Sequence, residues 1–116
     1  AKAVLEEGGY GQDAKFDLFD AHGLTVTPAF IDMHVHLRYP GQTAKEDLNS
    51  GLHAAVAGGF GTVVAMPNTN PVVSSIDMAM KIEREAAALG LANMFQVVSI
   101  TKDFELKVKW DISYVF

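Results

Sequence analysis

The stretch Phe30-Ile31-Asp32-Met33-His34-Val35-His36-Leu37-Arg38 decides how this chain is read. Side chains on a strand alternate between its two faces. On that rule Ile31, Met33, Val35 and Leu37 make one apolar face, while Asp32, His34, His36 and Arg38 make the other. The neighbouring strand-like segments are apolar on both faces, as strands inside a parallel sheet are. A strand among them with one polar face aims two imidazoles, a carboxylate and a guanidinium into an enclosed space. Such groups are costly to bury unpartnered, and a divalent metal with an anionic ligand supplies the partners. The competing reading is a solvated polar face, and His-x-His spacing alone does not separate the two.

Working outward, Thr43 and Glu46 stand at capping-box spacing and predict a helix start. Leu48, Leu52, Ala55 and Val56 recur at helical spacing until Gly58-Gly59 stops the run. Thr62-Val63-Val64-Ala65-Met66 predicts a second strand, and Pro67 to Pro71 a loop. A second helix is expected from about Ser75 to Leu89, with Ser74 and Asp77 at capping-box spacing and Gly90 as its stop. Met94 to Ile100 predicts a third strand. Strands alternating with helices predict an α/β fold with a parallel sheet. Upstream, Lys15–Asp20 and Leu24–Thr27 read as short strands around a His22-Gly23 turn. Downstream, the residues from Leu106 to Phe116 fit one alternating strand, or a short helix Asp103–Lys109 and a strand Ile112–Phe116.

Composition sets bounds. Among 116 residues, nine Lys plus Arg oppose fourteen Asp plus Glu, for a net charge of −5. That balance argues against a nucleic-acid partner, whose recognition rests on clustered positive charge. No apolar run reaches the roughly 20 residues of a membrane helix, so no membrane partner is expected. With no cysteine there is no thiolate site, and any metal must be held by His, Asp, Glu or a modified Lys. Imidazole donors then favour zinc or a similar borderline ion. The expected setting is cytoplasmic. His22 reads as a solvated turn residue, His53 as a surface or packing histidine, and Met66, Met78, Met80 and Met94 as core fillers.

Two motifs carry a family resemblance. Pro28 to Gly41, containing Phe-Ile-Asp-Met-His-Val-His-Leu-Arg-Tyr-Pro-Gly, resembles the first-strand signature of the amidohydrolase superfamily in its dihydroorotase form. Ala57 to Pro71, ending Met-Pro-Asn-Thr-Asn-Pro, resembles the second-strand signature of the same enzymes. Their order and separation by one helix make the pair far more specific than either motif. The sequence departs from the family pattern at Ala29, where Gly is usual, and at Gly61, where Thr is frequent.

The resemblance implies an incomplete (β/α)8 TIM-type barrel, its first three to four βα units occupying residues 29–116, with residues 1–28 part of a small β-sandwich. A whole barrel takes about 250 residues. It implies His34 and His36 as metal ligands, with one or two zinc ions in the complete site. It implies Arg38 and Asn68 as binders of the substrate's free carboxylate, a task suited to a planar guanidinium fork and an amide donor. The implied reaction is reversible hydrolysis of dihydroorotate to N-carbamoyl-L-aspartate, a step of pyrimidine biosynthesis. The bridging ligand and the general base are expected beyond Phe116. A homo-oligomer, or association with another pyrimidine-pathway enzyme, is the expected assembly. Two alternatives stand beside this: an inactive fragment or dihydroorotase-like structural subunit, and a hydantoinase or allantoinase, against which Arg38 and Asn68 speak.

Overall fold

A computed structural model describes residues 19–105 of the chain. Its elements run β1 (Phe30–Val35), α1 (Leu48–Ala57), β2 (Phe60–Ala65), α2 (Ile76–Ala87), β3 (Asn93–Gln96) and a 3-10 turn at Lys102–Phe104. The sheet has the order β1-β2-β3 with both pairings parallel, which is the α/β arrangement expected from the alternating pattern. Each helix is the crossover between consecutive strands.

The core lies between one sheet face and the two helices. Val63 and Ala65 of β2 point into it, as do Leu52 of α1 and Ala79, Ile82 and Ala86 of α2. The last three recur at helical spacing, so α2 buries one stripe and exposes Asp77, Lys81 and Arg84 away from it. Val73, in the loop before α2, is fully buried and ties that loop to the core. Val56 and Met80 are each 48% exposed, which removes them from the core positions expected of them.

Both helices begin later than the first capping pattern in the sequence. The cap of α1 is Asp47, whose side chain accepts from the Ser50 N–H at 2.7 Å while Ser50 Oγ accepts from the Asp47 N–H at 3.0 Å. Hydrogen bonds to the carboxyl from the Ser50 backbone N–H, first, and from its side chain hold Asp47 below its usual range. Residues before it are taken up by turns, with Gln42 N–H donating to the Arg38 carbonyl and Lys45 N–H to that of Gln42. Thr43 and Glu46 therefore lie outside the helix. Helix α2 is capped by Ser75 rather than Ser74, its Oγ accepting from the Met78 N–H. Gly59 and Gly90, with φ of 81° and 65°, end the two helices where side chains are strained.

The strand expectations need trimming. Leu24–Thr27 forms no strand; the described part is a turn closed by Leu24 N–H on the Ala21 carbonyl. The ladder of β3 stops at Gln96, although Val97 N–H still reaches the Ala65 carbonyl and Ser99 N–H that of Val73. Most of Lys15–Asp20, the remainder of 103–109, and the strand expected at Ile112–Phe116 lie outside the described residues.

Candidate metal and substrate site

Strand β1 does not alternate as its sequence implies. Asp32 pairs with Val63 and Val35 with Ala65, so two residues of β1 stand where β2 has one. This bulge brings Asp32 and Val35 to the same helix-covered side, because Val63 and Ala65 share that side. Ile31, paired with Thr62, is on the opposite side and 65% exposed; Met33, inside the bulge, is 74% exposed. Only Val35 and Leu37 of the expected apolar face enter the core. Asp32 accordingly shares the side of Val35, where it lines a cavity of about 240 Å³ together with His36. Its Oδ1 accepts the backbone N–H of His34 at 3.0 Å, a structural role inside the bulge.

His34 lies inside the bulge and His36 beyond it, and the two imidazoles come together. The rings of His34 and His36 lie 5.1 Å apart between centroids and meet edge to face at 68°. His36 follows the last residue of β1, and Asn68 follows β2 by three positions. Because the strands are parallel, both stand at the carboxyl end of the sheet. There His36 Nδ1 and Asn68 Oδ1 are 2.7 Å apart. An amide oxygen only accepts, so Nδ1 carries the proton and donates it, leaving Nε2 with its lone pair. Two neighbouring imidazoles, one with its tautomer set this way, are a donor set suited to a borderline divalent ion. Among the described residues no group of three or more His, Asp or Glu is arranged to hold an ion.

Arg38 is reached differently from the strand reading. Regular β1 ends at Val35, and Arg38 has φ 57°, so the chain turns there instead of continuing the alternation. A left-handed non-glycine residue carries a strain of about 1–2 kcal/mol. Buried Leu37 on one side and the Gln42-to-Arg38 hydrogen bond on the other hold it in place. Among the described residues the guanidinium makes no hydrogen bond or ion pair.

The two loops carrying Arg38 and Asn68 are joined to each other. Asn70 N–H donates to the Pro40 carbonyl at 3.3 Å. Gly41, with φ 82°, lies so close to the Asn70 carbonyl that a β-carbon there has no room. Each loop contains a cis X-Pro peptide, Tyr39–Pro40 and Asn70–Pro71. The first loop is also anchored to α2, where Tyr39 Oη donates to Glu85 Oε2 at 2.6 Å. That bond, with partial burial and the neighbouring carboxylate charge, raises the Tyr39 pKa. Gly41, Asn70 and Tyr39 escape sequence reading because their partners are distant in the chain.

Other candidates fall away from the site. His53 Nδ1 meets the Asn49 carbonyl one helical turn back at 2.8 Å, an exposed surface contact. His22 sits in the expected turn, its N–H donating to Asp20 Oδ1. A cavity of about 530 Å³ between α2 and β3 is lined by none of His34, His36, Arg38 or Asn68.

The family model described as "Amidohydrolase family" matches residues 25–111. The chain belongs to the amidohydrolase family. Within it, the chain is 44% identical over 115 residues to a protein of Deinococcus radiodurans named dihydroorotase, covering 97% of this chain and 28% of that protein. A dihydroorotase of Aquifex aeolicus is 50% identical over 86 residues, covering 74% of this chain and 20% of the relative. A dihydroorotase of Geobacter sulfurreducens is 50% identical over 101 residues, covering 86% and 24%. The chain therefore spans about a quarter of the length of the amidohydrolase-family relatives it matches. Ala29, one departure from the family pattern, does not have positive φ, so glycine is not required there.

Proposed function

We propose that this chain is the opening part of a metal-dependent cyclic amide hydrolase that interconverts dihydroorotate and N-carbamoyl-L-aspartate in pyrimidine biosynthesis. The observation that carries the proposal is the pairing of His34 and His36 at the carboxyl end of a parallel sheet, with Asn68 against His36. That end is where barrel enzymes of this architecture collect their catalytic groups.

In this reading His34 and His36 hold zinc, one or two ions in the complete site. A bound divalent ion supplies Lewis acidity toward the ring carbonyl and lowers the pKa of water. Arg38 and Asn68 bind the substrate's free carboxylate and so orient the scissile amide at the sheet end. The remaining ligands and the general base lie outside the described residues. Residues 29–116 are the first three to four units of a (β/α)8 barrel, and residues 1–28 belong to a small β-sandwich. Support comes from the open face of the sheet, where Ile31 and Phe95 are 65% and 56% exposed and a closed barrel would cover them. A cytoplasmic homo-oligomer, or a complex with another enzyme of the pathway, is the assembly in which the protein works. No helix among the described residues is long and apolar enough to cross a membrane.

Zinc content and dihydroorotate hydrolysis, measured together on the protein and on His36→Ala, test the proposal. Loss of both in the variant is the expected result, with His53→Ala as the unaffected control. Full activity of His36→Ala, or turnover of hydantoin or allantoin in place of dihydroorotate, overturns it.

A further inference from the structure

We propose that Asn68, beside the carboxylate contact already proposed for it, is a positioning residue for the metal ligand His36, so that one side chain joins the two halves of the site. The inference deepens the function proposed above and rests on it. A neutral imidazole carries one proton, and only its unprotonated nitrogen can ligate a metal. With Asn68 Oδ1 2.7 Å from Nδ1, the proton is held on Nδ1 and Nε2 is kept free. The opposite tautomer would put N–H where the ligand lone pair is needed, and would set two acceptors against each other at the amide. The same bond fixes the Asn68 side chain. Its oxygen is committed to His36, so its NH2 group, which makes no hydrogen bond among the described residues, is the part left for an anion. Asn68 is exposed at the carboxyl end of the sheet, where a ligand can reach it. Its loop is held rigidly: Thr69 is buried with Oγ1 donating to the Pro71 carbonyl at 2.7 Å, and Val73 N–H donates to the Pro67 carbonyl. An amide suits both tasks because it is acceptor and donor at once; neither Ala nor Asp combines them.

Two variants separate the roles. Asn68→Asp keeps an oxygen to accept the Nδ1 proton but removes the donors and adds a charge that repels a carboxylate. Asn68→Ala removes both. Zinc affinity, measured by competition with a chromophoric chelator, should fall about 10- to 100-fold in Asn68→Ala, as for loss of a partner behind a metal ligand. It should be restored in Asn68→Asp. The KM for dihydroorotate should rise about tenfold or more in both, consistent with one lost hydrogen bond to a charged group. In the metal-free protein above the histidine titration, nitrogen-15 shifts should report the Nδ1–H form of His36 in wild type and Asn68→Asp, and its loss in Asn68→Ala. Equal zinc affinity in wild type and Asn68→Ala, or a fall in Asn68→Asp as large as in Asn68→Ala, overturns the positioning role. Absence of zinc binding by the wild type overturns the metal reading and this inference together. The nitrogen-15 spectra then still show whether the hydrogen bond exists, which distinguishes the two failures.

Discussion

A β-carbon placed on Gly61 would stand 2.7 Å from the β-carbon of Ala29, so the two departures from the family pattern are spatial neighbours. The methyl group of Ala29 fills the space that a side chain at 61 would need. Neither carbon can swing away, since each is fixed to backbone. Gly61 also lies between Phe60 and Thr62, where the pairing of β1 and β2 shifts register. Gly61→Ala should therefore destabilise the protein by about 1–3 kcal/mol through overpacking. The double change Ala29→Gly with Gly61→Ala should recover most of that loss. Urea unfolding of the single and double variants measures the coupling; strict additivity would refute the steric exchange.

Gly41 has a stricter requirement. Its φ of 82° strains any L side chain, and an added β-carbon would collide with the Asn70 carbonyl. Gly41→Ala should cost about 2 kcal/mol or more, the left-handed penalty plus displacement of one loop from the other. Because those loops carry Arg38 and Asn68, the KM for dihydroorotate should rise as well. A variant with wild-type stability and KM would contradict the loop junction.

Arg38→Lys preserves charge and removes the planar fork. Loss of one hydrogen bond to a charged group, worth roughly 1.5–3 kcal/mol, raises KM about tenfold or more. Zinc content should stay at the wild-type level, because Arg38 is no metal ligand in the proposed site. Steady-state kinetics beside metal analysis checks both statements, and unchanged KM would remove Arg38 from the substrate site.

Tyr39→Phe removes the hydroxyl that ties the Arg38 loop to Glu85. The expected loss is about 1 kcal/mol near neutral pH. Folding raises the Tyr39 pKa, chiefly through the Glu85 hydrogen bond, so the folded state holds this proton more firmly than the unfolded chain. Its stabilisation is fully present below the ordinary tyrosine pKa of about 10 and is lost as pH rises through the higher folded value. Wild type and Tyr39→Phe should thus converge in stability at strongly alkaline pH. Unfolding midpoints that stay equally separated from neutral to alkaline pH would refute this account.

Local chemistry made much of the fold legible. Alternating strand and helix patterns, Gly59 and Gly90 behind the helices, and the apolar run of β2 each depend on residues within a few positions, and the parallel sheet follows from their order. The histidine pair was legible for the same reason, being separated by a single residue. Helix starts were less so, because Thr43–Glu46 and Asp47–Ser50 both satisfy a capping pattern. The turns around Gly41 decide between them.

The sequence by itself determined the α/β order, the two adjacent imidazoles and the loops that follow β1 and β2. Only the tertiary structure decided which face each side chain of β1 takes, because the bulge shows only in the pairing of β1 with β2. It alone set His36 against Asn68 across 32 positions of chain, Gly41 against Asn70, and Ala29 against Gly61. Contacts of that kind depend on the register and close packing of separate units, which no local pattern encodes.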